Sequence, residues 1–224
     1  MNNFNELLLA AMLLSCLMLA VSSRLLHCIR VVAMQGIILG ILPLTLAFAQ
    51  NAHASVSMAV INLLLKGVIL PALLYRAMLK VRIKRELEPV TGYSLSATAV
   101  LLMAILSFFI AGKLGIPSGS AEMAVIAIPA AFTLVMTGLF IVIARKKALT
   151  QVIGFLVFEN GITLFGAAAM REHPWIVELG ILLDVLVLVF IMGITVNQIS
   201  RAFSHIDSDQ LNQLDDMPEN KEVR

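Results

Sequence analysis

Charged residues are scarce in this sequence, and their scarcity excludes several classes of protein. Only 13% of the 224 residues are charged, whereas 60% are hydrophobic. A water-soluble domain of this composition would expose large apolar patches and aggregate. The net charge of +2 is also too small to indicate a nucleic-acid-binding protein. The composition therefore predicts a membrane protein whose surroundings are the lipid bilayer.

Cysteine is almost absent, and the usual motifs of catalytic and cofactor sites are missing. Cys16 and Cys28 lack C-x-x-C spacing and are interpreted as small buried apolar residues. The four histidines lie in loops, at a helix end or in the tail, without metal-ligand spacing. No nucleotide-binding loop, nucleophile elbow or pair of haem ligands occurs in the sequence. We therefore predict that this chain is not an enzyme on its own and binds no metal or cofactor.

Long apolar runs make up most of the remaining sequence. A membrane-spanning helix needs about 20 mostly apolar residues. We predict an all-α, polytopic membrane protein with about seven transmembrane helices in one domain over 1–203. The predicted helices lie near 6–23, 30–50, 57–79, 95–112, 124–144, 151–170 and 176–198.

Lysine and arginine alternate between the loops that join these runs. The loops after the first, third and fifth runs are basic, and the intervening loops carry at most one basic residue. By the positive-inside rule, the N-terminus lies outside and the C-terminus in the cytoplasm. The polar, acidic segment 204–224 is then a cytoplasmic tail, with disorder and docking onto a partner both left open. We expect a bacterial or archaeal cytoplasmic (inner) membrane.

A weak internal repeat relates the two ends of the helical domain. Aligning Arg24 with Arg145 also aligns Gly40 with Gly161, and a slightly shorter offset aligns Lys66 with Asp184. We therefore divide the domain into three parts. A first three-helix unit covers 1–85, a spacer helix covers 95–112 and a second three-helix unit covers 122–203.

Three ionisable residues, Lys66, Glu159 and Asp184, lie deep inside predicted spans. Each is about eight or nine residues into its run, roughly 12 Å along a helix, which places all three near the membrane midplane. A charge there costs about 2.5–3.5 kcal/mol, so these side chains are expected to face the protein interior or water. A lysine beside a carboxylate can take part in proton transfer. The alternative is a fixed ion pair that only locks helices together.

Other polar residues receive secondary roles. Asn160 and Thr163 are predicted to form hydrogen bonds between helices. Glu178 and Arg76 lie nearer the membrane faces, where they are either outer and inner proton-transfer steps or side chains that simply reach water. Pro71 lies within a span and is expected to produce a tolerated kink.

The stretch RKKALTQVIGFLVFENGITLFG, followed by VELGILLDVLVLVFIMGITVNQISRAF, resembles the small K subunit of respiratory complex I. The K-like part covers roughly 122–203. Ile153-Gly154, Glu159, Asn160 and Asp184 match its "IG" helix with a midplane acid, and the acid of its next helix. With its preceding helices and acidic tail, the whole chain resembles hydrogenase-4 component E of formate hydrogenlyase-type complexes.

Two positions differ from the K subunit. Leu156 occupies the place of the K-subunit glutamate, and Glu159 follows one helical turn later on nearly the same face. The second acid is Asp184 where the K subunit has glutamate, so its carboxyl group reaches less far. The resemblance therefore supports a proton-transfer role more directly for Glu159 than for Asp184.

The resemblance implies a membrane-arm subunit of an energy-converting nickel–iron hydrogenase complex, coupling redox chemistry to the movement of protons or sodium. Its implied partners are antiporter-like and other membrane subunits, together with soluble hydrogenase and iron–sulfur subunits that hold the nickel–iron centre and the clusters. Lys66, Glu159 and Asp184 would carry the proton transfer. The alternatives are a K/C-type subunit of a multi-subunit cation/proton antiporter, which has no redox partner, and a structural membrane scaffold.

Overall fold

Helices form every secondary-structure element in the part of the chain that the computed structural model describes, which is residues 2–50, 53–81, 92–114, 122–145, 147–169, 183–187 and 189–193. The all-α prediction is confirmed. A π-helical turn, Leu65–Ile69, joins α3 to α4, and a further helical segment covers Leu183–Gly193. The α-helices are α1 (Asn2–Val21), α2 (Leu25–Gln50), α3 (His53–Leu64), α4 (Leu70–Val81), α5 (Tyr93–Lys113), α6 (Glu122–Ala144) and α7 (Ala148–Ala169).

Six helical stretches of the described residues are long and apolar enough to cross a membrane, which indicates a multi-pass membrane protein. The predicted seventh span, near 176–198, overlaps the helical segment Leu183–Gly193, and its other residues lie outside the described ones. The predicted tail, 204–224, lies wholly outside the described residues. The orientation and the division into units remain predictions. The six stretches are Phe4–Val21, Leu25–Leu42, Ala59–Leu79, Tyr93–Lys113, Val125–Ala144 and Ala148–Ala168.

The start of the second helix was predicted too late. The structure begins α2 at Leu25, so Arg30 lies in its second turn. Arg30 is exposed, and a long arginine side chain at a helix end can keep its charged group in water while its stem covers apolar surface. An arginine is therefore compatible with the first turns of a spanning helix.

Helices α2 and α7 lie at the centre of the described structure. Of their spanning residues 61% are buried, compared with 22% for α5. α7 packs along α6 and also contacts α2, while α2 contacts α3, the π-helical turn and α4. α5 packs against α1 and α6 and exposes most of its apolar side chains. Side chains on α7 that point towards α2 are thus screened from the surroundings.

Glycines bring α6 and α7 into backbone contact. A Cβ atom at Gly154 would lie 2.9 Å from the backbone nitrogen of Val142, and one at Gly161 would lie 2.7 Å from that of Val135. Gly154 and Gly161 are two helical turns apart and share one face of α7. Small residues allow this close approach between helices in lipid. The contact fixes the rotation of α7 and thereby the direction of its other faces.

The π-helical turn lies against another glycine contact. Within this turn the backbone N–H of Leu70 donates to the carbonyl of Leu65, five residues earlier, and Pro71, which follows, has no N–H to donate. The expected kink at Pro71 is thus accompanied by a widened turn. A Cβ atom at Gly36 of α2 would lie 2.6 Å from the carbonyl carbon of Lys66, so a larger residue would push the turn away.

Candidate functional site

The three predicted midplane charges meet in the interior. Lys66 comes from the π-helical turn, Glu159 from α7 and Asp184 from the segment Leu183–Gly193. The Lys66 ammonium lies 2.5 Å from Oε1 of Glu159 and 3.9 Å from Oδ1 of Asp184. One cation therefore faces two carboxyl groups.

Burial makes this cluster sensitive to its charge. Glu159 is 0% exposed, Asp184 1% and Lys66 3%. Oε2 of Glu159 and both carboxyl oxygens of Asp184 accept no hydrogen bond from the described residues. With all three groups ionised, the cluster would carry one uncompensated negative charge in a region where such a charge is costly. Charge balance thus calls for one further positive charge.

Thr163 completes the surroundings of the ammonium. The ammonium donates a hydrogen bond to Oγ1 of Thr163 at 2.9 Å, and this hydroxyl donates to the backbone carbonyl of Glu159 at 3.0 Å. Thr163 lies one turn after Glu159 on the same face of α7. Both α7 partners of Lys66 are therefore held by one helical turn.

A line of hydrogen bonds runs from the neighbour of Glu159 across two further helices. The side-chain amide of Asn160 donates to Oε1 of Gln35 on α2 at 3.3 Å. Gln35 donates to Oγ of Ser15 on α1 at 2.6 Å, and Ser15 donates to the carbonyl of Met12. All three side chains are buried. This polar line ties α7 to α2 and α1 at the level of the charge cluster.

Rv0085, an uncharacterized protein of Mycobacterium tuberculosis, is 31% identical to this chain over 189 residues. The similarity covers 84% of this chain and 85% of Rv0085. The chain belongs to the Rv0085 family. No family model matches it, and no solved structure does. Because the similarity covers most of both chains, the Rv0085 family relationship concerns the helical domain as a whole and not one segment of it.

The secondary residues predicted for this Rv0085-family chain have different positions. Asn160 is buried beside the cluster and starts the polar line. Arg76 lies on α4 with its side chain exposed. It is about 15 Å from Lys66 along the helix axis when the π-helical turn is counted with the α-helical rise per residue. The structure therefore does not bring Arg76 to the cluster. Glu178 lies outside the described residues.

Sequence reasoning missed two members of the polar line, Gln35 and Ser15. Each is a single polar residue in a long apolar run, and a buried amide at bilayer depth requires a hydrogen-bond partner. That feature could have identified Gln35 before the structure was known. Ser15 carries a weaker signal, since a serine hydroxyl can bond within its own helix.

A further buried charge lies away from the cluster, at one end of the described helices. The guanidinium of Arg145 donates to the carbonyl of Ala20 at 3.2 Å and lies 5.9 Å from the ring centre of Tyr93. It thereby joins the end of α1 to α5 and α6, and a cation near a helix C-terminus is favourable. No group of three or more His, Cys, Asp and Glu side chains suited to a metal ion occurs among the residues the structure describes.

Proposed function

We propose that this chain is an ion-translocating subunit in the membrane arm of an energy-converting nickel–iron hydrogenase complex. The observation that carries the proposal is the buried meeting of Lys66, Glu159 and Asp184. Ionisable groups inside a membrane domain are expensive and usually mark ion pathways. Here three of them converge from three separate helical elements.

The charge balance of the cluster supports exchange of an ion. Two carboxyl groups face one ammonium, so the cluster is neutral only when it holds one more positive charge. Three carboxyl oxygens accept no hydrogen bond from described residues and are available to that charge. Binding and release of one cation then changes the charge of the site, which is the elementary step of ion transfer.

A purely structural ion pair fits this geometry less well. A buried pair that only joins helices is favourable when its remaining lone pairs are satisfied by further hydrogen bonds. Asp184 has neither oxygen so satisfied within the described residues. The arrangement favours a site that changes its occupancy over a permanent scaffold.

The resemblance to hydrogenase-4 component E and the K subunit supplies the type of complex. In that setting the redox chemistry belongs to soluble hydrogenase and iron–sulfur subunits, and this chain contributes no catalysis. Its midplane cluster would be one proton-transfer site in a lateral line of charged residues that continues into the antiporter-like subunits. An antiporter complex without a redox partner would use the same cluster, and the experiment below separates the two.

The test is ion movement by membrane vesicles that carry the assembled complex. We expect redox turnover to build an ion gradient with the native chain and not with Glu159→Gln, while the complex stays assembled. Glu6→Gln is the matched control, since Glu6 is exposed at the start of α1. Normal ion pumping by Glu159→Gln would show that Glu159 only joins helices and does not transfer the ion. Ion exchange without any redox dependence would indicate an antiporter instead.

A further inference from the structure

The position of the Lys66 side chain bears on which ion the cluster accepts. Its nitrogen lies 2.5 Å from Glu159 Oε1, 2.9 Å from Thr163 Oγ1 and 3.9 Å from Asp184 Oδ1. Hard metal cations are bound by several oxygen ligands that replace their hydration shell. The ammonium thus occupies the place among these oxygens that a coordinated metal cation would take.

We propose that Lys66 is the resident cation of this site, so that the exchangeable ion is a proton and Na⁺ is excluded. This proposal rests on the proposed function and deepens it by naming the ion. The exchange forms an O–H bond on one carboxylate oxygen of Glu159 or Asp184 when the proton arrives and breaks it when the proton leaves. No electrons are transferred in this step.

The described residues leave few oxygens for a sodium ion beside Lys66. The described residues leave Oε2 of Glu159 and the two oxygens of Asp184 without hydrogen bonds. A sodium ion bound there would also lie close to the Lys66 ammonium, and like charges repel strongly in a buried site. A proton needs one oxygen and no coordination shell. It can therefore neutralise the cluster without displacing the lysine.

Within the part of the chain that the structure describes, the other buried charge lies away from the cluster. Among the described residues, the remaining buried charged side chain is Arg145. It precedes α7, whose first residue, Ala148, is already about 17 Å along the helix from Glu159. Side chains that border the cluster from α7 and α2, such as Asn160 and Gln35, are uncharged amides. Lys66 is thus the cation that determines which further cation the cluster can accept.

Substituting Lys66 should convert the site. In Lys66→Gln the two carboxyl groups and the Thr163 hydroxyl lose their ammonium and become able to coordinate Na⁺. We expect sodium chloride to raise the melting temperature of the Lys66→Gln complex by at least about 2 °C over choline chloride at equal concentration. The native complex and Lys66→Arg, which keeps the charge, should show no sodium-specific shift.

Transport provides the second measurement. Redox-driven proton uptake by vesicles with the native complex should be unchanged when choline replaces sodium, and radioactive sodium should not accumulate. Sodium accumulation, or a sodium-specific shift in the native complex, would overturn the proposal. Absence of a sodium-specific shift in an assembled Lys66→Gln complex would show that Lys66 is not what excludes Na⁺.

The two proposals fail in distinguishable ways. If the native complex builds no gradient of either ion, the proposed function fails, while the melting comparison still reports whether Lys66 excludes Na⁺. If protons move only when sodium is present, translocation stands and proton selectivity fails. Should Lys66→Gln not assemble, the native complex decides alone: sodium-independent proton uptake supports the proposal and sodium uptake overturns it.

Discussion

The side-chain nitrogen of Lys66 lies 2.5 Å from Oε1 of Glu159, although 93 residues separate them along the chain. Backbone contacts at glycines make this approach possible. Because Gly36 has no side chain, the π-helical turn that carries Lys66 can pack closely against α2. Gly154 and Gly161 allow the same close packing of α7 against α6. The geometry of the cluster therefore depends on close helix packing as well as on the attraction between charges.

Removing the cation should destabilise the protein more than removing one acid. Lys66→Met leaves two buried carboxyl groups without a cation and is expected to cost about 3–5 kcal/mol. Glu159→Gln leaves Lys66 with Asp184 and should cost less. The double variant should differ from the sum of the single variants by at least about 1 kcal/mol, because the residues are in contact. Thermal unfolding in detergent measures all three, and additive effects would contradict direct coupling.

The hydroxyl of Thr163 should contribute through its bond with the ammonium. Thr163→Val keeps the shape of the side chain, removes the acceptor and is expected to cost about 1.5–3 kcal/mol, the range for hydrogen bonds to charged groups. Thr150→Val is the matched control, since Thr150 is buried near the start of the same helix and its hydroxyl has no hydrogen-bond partner among the described residues. Equal costs for the two variants would show that the Lys66–Thr163 bond contributes nothing.

The polar line is expected to hold helices together without carrying the ion. Asn160→Leu leaves the carbonyl oxygen of Gln35 without its donor, which should cost about 1–3 kcal/mol. Adding Gln35→Leu removes that unsatisfied group, so the double variant should recover part of the loss. Unfolding temperature and ion translocation per assembled complex are measured together. Loss of translocation in a fully assembled double variant would instead assign the line a transport role.

A methyl group at Gly36 should separate α2 from the π-helical turn. Gly36→Ala places a Cβ atom against the carbonyl group of Lys66, and overpacking of this kind costs about 1–3 kcal/mol. Gly112→Ala is the control, because the space around Gly112 on α5 is open and alanine favours a helix. We expect Gly36→Ala to lower the melting temperature and ion translocation. An effect no larger than that of Gly112→Ala would mean that the turn can move freely.

The similar depth of the three charges is a prediction from the sequence, whereas their contacts are a finding of the structure. Counting residues along apolar runs places Lys66, Glu159 and Asp184 at similar depths, because the rise of a helix is regular. Whether they meet depends on how each helix is rotated about its axis. That rotation is determined by neighbours, as at Gly154 against α6, and the smooth apolar character of these runs carries little directional information.

The π-helical turn adds a second reason why contacts were not predictable. Positions after Leu65–Ile69 are displaced around the axis relative to an uninterrupted α-helix, so a face assigned from 3.6-residue periodicity does not continue through it. Gln35 was missed for a different reason. A lone amide in an apolar run was not recognised as a member of a network whose other members lie on other helices.

The widened turn also has a consequence for changes in chain length. A π-helical turn contains one residue more than an α-helical turn over the same rise, so its register depends on the number of residues between α3 and α4. Deleting Val68, whose side chain is exposed, would return the segment to an α-helical turn and leave α3 and α4 in the same relative rotation. A deletion elsewhere in the span has no widened turn to absorb it and would rotate the following residues by roughly 100° about the axis. Within this span, the π-helical turn is therefore the place where loss of one residue is best tolerated.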